Sequence, residues 1–180
     1  MLQSHTLVVL VEDQPGVLNR VVSLMRRRHF NIDSITVGRS EQPGLSRMTL
    51  IVVGEDNEVE QATKQLYKLL EVVKVTDIPA EHAVSRELVL VKVAAKGPQR
   101  TEIIQIAEIF SARILDATPT TLMIQATGDE EKVDSFLNMM RVFGIREMAR
   151  SGKIAMSRGA ASSKQGRIER IGDGSFAVAD

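Results

Sequence analysis

The stretch TLVVLVEDQPGVLNRVVSLMRRR, residues 6–28, combines the two hydrophobic periodicities that decide the fold. Its first six residues form a continuous valine-rich apolar run, which is typical of a strand buried on both faces. Residues 15–28 instead place their apolar side chains on one broad helical face: Val17, Leu18, Val21, Val22, Leu24 and Met25. Because Pro15 suits the first turn of a helix, the sequence predicts a strand, a short loop and a helix that begins near Pro15.

The alternation of strands and helices continues beyond this stretch. Strands are expected at residues 31–39, 47–53 and 72–78, with a second amphipathic helix over 59–70. A tight turn at 40–44 contains Pro43 and Gly44, the residue types that a chain reversal favours. The order β-α-β-β-α-β within about 75 residues is the ferredoxin-like unit.

The same order follows a second time after a linker at 79–84. Strands are expected at residues 87–94, 113–118, 122–127 and 145–150, with helices that begin near Pro98 and after a capping Asp129. The predicted fold class is therefore α+β, with two tandem ferredoxin-like βαββαβ domains at 1–78 and 85–158. Residues 159–180 are rich in Gly, Ser and Ala without periodicity, and we expect a flexible tail there.

Composition narrows the classes of function. The 180 residues carry no net charge and only five Phe, one Tyr and no Trp, which argues against a nucleic-acid partner. The absence of cysteine excludes disulfides, thiolate catalysis and Cys-type zinc sites, and it fits a cytoplasmic location. The apolar run at the N-terminus is too short to span a bilayer, so no membrane partner is expected.

The polar residues of the sequence form no catalytic or metal-binding pattern. His5, His29 and His82 have no partner at metal-ligand or catalytic spacing, and no serine has a G-x-S-x-G context. We therefore expect no catalytic residue and no metal site in this chain.

The loop between the first strand and the first helix is the candidate binding site. The backbone N–H groups of residues 16–18 fall in the first helical turn, and Gly16 lets a ligand approach them closely. Such a helix start attracts a carboxylate, and Asp13 would suit an ammonium group, so the loop could hold a free α-amino acid. The alternative is that Asp13 only caps the helix and Gly16 is incidental; spacing alone leaves both open.

Domain size also favours association between copies. Each unit of about 75 residues buries a marginal core, and a ferredoxin-like sheet has one bare face and two free edges. We therefore expect oligomerisation, and the bare face and the helix end at Arg26–Arg28 are candidate partner surfaces.

Longer motifs resemble a known family. D-x-P-G-V-L at 13–18 resembles the ligand loop of the ACT domain, an amino-acid-sensing module. Over residues 4–159 the chain is similar to the small regulatory subunit of acetolactate synthase, also called acetohydroxyacid synthase. The motifs that carry this resemblance are FNIDSITV (30–37), LSRMT (45–49), RELVLVKV (86–93) and ARSGKIAMSRG (149–159).

The resemblance implies a function for the whole chain. The first domain would be an ACT domain that forms a homodimer and binds valine or another branched-chain amino acid. The chain would stimulate a catalytic (large) subunit and confer feedback inhibition by valine in branched-chain amino-acid biosynthesis. It would carry no cofactor itself, since thiamine diphosphate, Mg²⁺ and FAD are expected on the catalytic subunit.

The resemblance also implies the effector-binding residues. One ACT domain contributes the loop residues Asp13, Gly16, Val17 and Leu18, and the neighbouring one contributes Asn31 and Ile32, with Gly38 in the same region. Many relatives have Asn in place of Asp13. A freestanding amino-acid sensor without an enzyme partner is the alternative, and an enzyme fused to an ACT module is disfavoured by the lack of a catalytic constellation.

Overall fold

The structure, a computed structural model, describes residues 3–159 together with the backbone of 168–170 and 176–178. It divides the chain into two compact units. One comprises Met1–Val84 together with the segment that begins at Ala155, and the other is Ser85–Ile154. Each unit contains the order β-α-β-β-α-β, which confirms the predicted α+β class with two ferredoxin-like domains.

The first unit is a four-stranded antiparallel sheet with two helices on one face. Its elements are β1 (Gln3–Glu12), α1 (Val17–Arg27), β2 (Asn31–Arg39), β3 (Leu45–Gly54), α2 (Asp56–Leu66) and β4 (Val72–Ile78). The strand order is β2-β3-β1-β4, so β1 and β3 are central. The buried core between helices and sheet consists of Leu7, Val9, Val11, Val17, Val21, Leu24, Met25, Met48, Leu50, Val52, Val59, Ala62, Leu66, Val72 and Val75.

Helix α1 begins two residues later than the sequence predicts. Gly16 occupies the N-cap with φ +84°, a left-handed conformation that a right-handed helix cannot include. Pro15 therefore lies in the loop and not in the first helical turn.

The second face of the first sheet is not bare, which corrects the expectation from sequence. Val8, Leu10 and Ile51 point away from the helices, yet they are only 4%, 8% and 1% exposed. Arg47 on the same face donates from Nη2 to the carbonyl of Ala155 at 2.9 Å, and burial lowers the pKa of its guanidinium. This hydrogen bond joins Ala155 to the outer face of the first sheet.

The predicted second domain runs to residue 158, while the second compact unit ends at Ile154. The backbone N–H of Arg158 donates to the carbonyl of His82 at 2.7 Å, which ties residues 155–158 to the first unit. The predicted linker at 79–84 contains a 3₁₀ turn, Ala80–His82, and its last two residues already belong to a strand.

The second unit repeats the architecture. Its elements are β5 (Ala83–Ala94), α3 (Gln99–Ile109), β6 (Arg113–Ala117), β7 (Thr121–Gly128), α4 (Glu130–Arg141) and β8 (Ile145–Arg150), in the sheet order β6-β7-β5-β8. A further strand, β9 (Ile154–Ser157), pairs with β5. Asp129 caps α4 as predicted, because its Oδ1 accepts a hydrogen bond from the Lys132 N–H at 2.9 Å.

Two short strands follow in the C-terminal segment. The backbones of β10 (Ile168–Arg170) and β11 (Phe176–Val178) pair antiparallel. The other residues of the predicted flexible tail, 160–167, 171–175 and 179–180, lie outside the described residues. None of the described helices is long and apolar enough to cross a membrane.

Candidate effector site

Asp13 does not cap helix α1. Its backbone N–H donates to the carbonyl of Gly44 at 2.8 Å, and its Oδ1 accepts a hydrogen bond from the Ser46 hydroxyl at 3.2 Å. The helix has no side-chain cap, and Gly16 occupies the capping position. The capping alternative for Asp13 is thereby excluded, and its carboxylate stays at the exposed surface of the loop.

The first turn of α1 leaves backbone donors open. Within the part of the chain that the structure describes, the N–H groups of Gly16 and Leu18 have no hydrogen-bond acceptor. The N–H of Val17 donates to the carbonyl of Gln14 over a long 3.4 Å. These donors and the positive end of the helix dipole could receive an anionic group.

An arginine that sequence reasoning missed lies over this loop. Arg20 Nη1 is 3.6 Å from the position that a Cβ on Gly16 would occupy, and Arg20 Nη2 forms an ion pair with Glu71 Oε1 at 2.7 Å. Its place one helical turn after Gly16 is the signal that could have found it. No sequence spacing indicated the contact of Ser46 with Asp13, because the two residues are brought together only by the pairing of β1 with β3.

The neighbouring side chains of Val17 and Leu18 differ in exposure. Val17 is 3% exposed and packs in the core. Leu18 is 45% exposed, as is Val22 one turn later at 39%. Leu18 is therefore the apolar side chain that the loop region offers to a ligand or to another chain.

The remaining predicted residues lie on β2. Asn31 pairs with Val53 and Ile32 with Val52 at one end of the sheet, while Gly38 pairs with Arg47 at the other end. Asn31 lines a surface pocket of about 270 Å³ together with Phe30 and Glu58. A Cβ on Gly38 would meet nothing within 4 Å, so its backbone is open at the surface.

Within one chain, the predicted site residues therefore form two half-sites at opposite ends of the first sheet. Asp13, Gly16, Leu18 and Gly38 share the end of the sheet at which β3 begins. Asn31 and Ile32 are at the end of β3, about 20 Å away for six residues of extended strand. The two halves cannot touch one small ligand within a single chain.

The two edges of the first sheet are not equivalent. At the β4 edge the Tyr67 hydroxyl donates to the carbonyl of Val75 at 3.1 Å and accepts from its N–H at 3.0 Å. Those backbone groups are no longer available to an added strand. At the opposite edge, no described strand pairs with the outer side of β2.

No metal centre accompanies the site in the described ranges, which contain no group of three or more His, Cys, Asp or Glu residues able to hold an ion. The open N–H groups, the Asp13 carboxylate and the exposed Leu18 side chain can recognise a ligand by hydrogen bonds, charge and apolar contact.

Comparison with known proteins decides the family. Residues 7–74 match the model of the AHAS small subunit-like ACT domain, and residues 86–159 match the model of the small subunit of acetolactate synthase. The chain belongs to the acetolactate synthase small subunits.

Individual small subunits match along nearly their whole length. The probable acetolactate synthase small subunit of Archaeoglobus fulgidus is 53% identical over 155 residues, which is 86% of this chain and 97% of the relative. The small subunit of Mycobacterium bovis is 48% identical over 157 residues, covering 87% and 94%. The crystal structure of the small subunit from Thermotoga maritima superposes with a TM-score of 0.84 at 45% identity, covering 87% of this chain and 98% of that one.

Membership confirms the expected ACT and ferredoxin-like architecture. An acetolactate synthase small subunit is a regulatory subunit, so this chain has a regulatory role and a catalytic subunit is implied as its partner.

Proposed function

We propose that this small subunit forms a homodimer through its ACT domain and binds valine at two equivalent sites between the chains. It stimulates the catalytic subunit of acetolactate synthase and makes that subunit sensitive to valine. The single observation that carries the proposal is the separation of the two half-sites by about 20 Å of strand, because only a second copy can complete either half.

Pairing of two β2 strands supports this arrangement. Asp33 is the bulge residue of β2 and takes no part in the ladder. In a two-fold antiparallel pair centred on Ile35, the middle residue of β2, Asn31 of the second copy therefore comes opposite Gly38 of the first. Gly38 shares its end of the sheet with the loop, so this pairing brings the two half-sites together twice. The occupied β4 edge leaves β2 as the edge for such a contact.

On this proposal the two half-sites contact different groups of the effector. The N–H groups of Gly16 and Leu18 receive the effector carboxylate, and the carboxylate of Asp13 receives its ammonium group. Leu18, together with Ile32 of the second copy, contacts the branched side chain. Asn31 of the second copy supplies an amide that can both donate and accept.

Binding strength and selectivity follow from the size of the ligand. Valine has few heavy atoms, so a dissociation constant between roughly micromolar and millimolar is expected. One methylene changes binding by about 1–3 kcal/mol, so isoleucine and leucine bind as weaker or comparable effectors. Which of the three binds most tightly is decided by the cavity that Leu18 and Ile32 form in the dimer.

Coupling to the catalytic subunit is reciprocal. If valine shifts the contact between the subunits, the catalytic subunit must shift the affinity for valine by the same factor. Thiamine diphosphate, Mg²⁺ and FAD belong, on this proposal, to the catalytic subunit, and this chain contributes no catalytic residue. A cytoplasmic location remains a prediction.

The test combines the purified chain with the catalytic subunit of the same organism and measures acetolactate formation with and without valine. We expect higher activity on addition of this chain, and a loss of that activity as valine is added. Valine binding without any effect on the catalytic subunit would support the freestanding sensor. Absence of both stimulation and valine response would contradict the proposal.

A further inference from the structure

Strand β6 is an unprotected edge of the second unit. All five residues, Arg113–Ala117, are exposed, and Ile114 and Leu115 are 39% and 50% exposed. β6 pairs with β7 on its inner side, and no described strand pairs with its outer side. An exposed strand edge with apolar side chains is a template for pairing with another chain.

A bulge in β6 gives this edge a self-complementary charge pattern. Arg113 pairs with Gln125 and Asp116 with Met123, and Leu115 is the extra residue between them. Gln125 and Met123 point to the same side of the sheet, so Arg113 and Asp116 do as well. Without the bulge, residues three positions apart would point to opposite sides.

We propose that β6 pairs antiparallel with β6 of a second copy of this chain, around a two-fold axis between Ile114 and Leu115. Arg113 of each copy then lies opposite Asp116 of the other, and the apolar pair lies at the centre. A two-fold contact requires a surface that complements itself, and the order Arg-Ile-Leu-Asp meets that requirement. The effector site has no part in this contact.

At the other edge of the same sheet, charged residues of β8 already form ion pairs within the chain. On β8, Glu147 forms an ion pair with Lys92 at 3.4 Å, and Arg150 with Glu87 and Asp134 at 2.6 and 2.8 Å. Arg113 and Asp116 have no ion-pair partner within the described residues. Arg113 and Asp116 lie on the same side of an open strand edge and are available to a second chain. This favours β6 over β8 as the interface.

A five-residue strand is too short to form an interface of standard size. We therefore expect this pairing to be weak by itself, and to act as a second contact that links chains also held together elsewhere.

Cross-linking tests the contact directly, because the chain contains no cysteine. Leu115→Cys and the control Met148→Cys introduce single thiols at sites that are both 50% exposed, on opposite edges of the sheet. With a short bis-maleimide we expect a covalent dimer of the purified full chain from Leu115→Cys and little from Met148→Cys. Equal yields from the two variants would overturn the proposal.

Charge reversal distinguishes the pairing from chance proximity. In the Leu115→Cys background, Arg113→Glu or Asp116→Arg places like charges opposite each other twice, and we expect each to lower cross-linking by about tenfold. Mixing the two variants places opposite charges together in every mixed pair, so the yield should return. Failure of the mixture to recover, with both variants folded by circular dichroism, would contradict the assigned register.

Discussion

The Ser46 hydroxyl on β3 donates a hydrogen bond to the carboxylate of Asp13 at 3.2 Å. This bond and the one from the Asp13 N–H to Gly44 hold the acid at the rim of the loop. The carboxylate is thereby oriented by the sheet and not by the helix that follows, and it keeps free acceptor positions for an ammonium group.

Asp13→Asn tests the charge on the loop. The amide oxygen can still accept from Ser46, but the ionic part of the attraction to the ammonium group is lost. Since charged hydrogen bonds are about twice as strong as neutral ones, we expect valine affinity to fall about tenfold in calorimetry. Glu131→Gln, an exposed change on α4, is the control. Unchanged affinity in Asp13→Asn would show that Asp13 does not receive the ammonium.

Tyr67→Phe tests the protection of the β4 edge. The change leaves the N–H and carbonyl of Val75 without their hydroxyl partner. We expect a loss of about 1–2 kcal/mol in the free energy of unfolding, measured with urea, and more self-association in light scattering. A variant with unchanged stability and unchanged size distribution would mean that water replaces the hydroxyl at no cost.

Arg150→Ala tests the ion pairs of the second unit. Glu87 is 5% exposed, and its contact with Arg150 Nε is 2.6 Å. Removal of the arginine leaves a buried carboxylate unpaired, so we expect the unfolding free energy to fall by about 2–3 kcal/mol, less than for a fully buried pair. Asp134→Asn leaves the Glu87 contact intact and should cost under about 1 kcal/mol. Equal losses from both would show that burial of Glu87 is not the main cause.

Glu41→Gln tests a pH dependence at the turn between β2 and β3. Its own backbone N–H, the Ser40 hydroxyl and Arg47 hold the pKa of the Glu41 carboxyl below the ordinary 4.5, against the effect of burial. A lowered folded-state pKa contributes stability above the unfolded value that is lost as pH falls through the folded value. We expect the variant to be less stable at pH 7 by a few tenths of a kcal/mol, since the group is largely solvated.

The sign of that effect is checked by repeating urea unfolding at decreasing pH. The difference between wild type and Glu41→Gln should shrink below pH 4.5. A difference that grows toward acid would contradict the assigned direction.

Local periodicity was sufficient to predict both ferredoxin-like units, because a strand or helix in this chain buries the face that its own residue spacing defines. The same spacing predicted the apolar face of α1, and Val17, Val21, Leu24 and Met25 from that face are buried. The role of Val17 in the effector site rests on the resemblance of the loop to the ACT motif and stays a prediction.

Contacts between distant parts of the chain could not be predicted in this way. Coverage of the second sheet face involves Arg47 and Ala155, which are 108 residues apart. The Ser46–Asp13 bond likewise depends on strand register, and the late start of α1 depends on the left-handed conformation of Gly16. No hydrophobic pattern encodes these features, since each is a single polar or backbone interaction.

On the proposed function, each effector site combines the loop of one chain with β2 of another. Gly16→Asp damages one half, because an acid side chain at φ +84° meets the effector carboxylate, and Asn31→Ala damages the other. Alone, each variant should lose valine binding and valine inhibition while it still stimulates the catalytic subunit. In a mixed dimer both lesions fall in one site and the second site is intact.

The decisive measurement is calorimetric titration of valine into co-expressed Gly16→Asp and Asn31→Ala chains. Valine binding by the mixture, with neither variant binding alone, is the result that we expect. If the mixture binds no valine although mass spectrometry detects the mixed dimer, the site is not shared between chains and the account is contradicted.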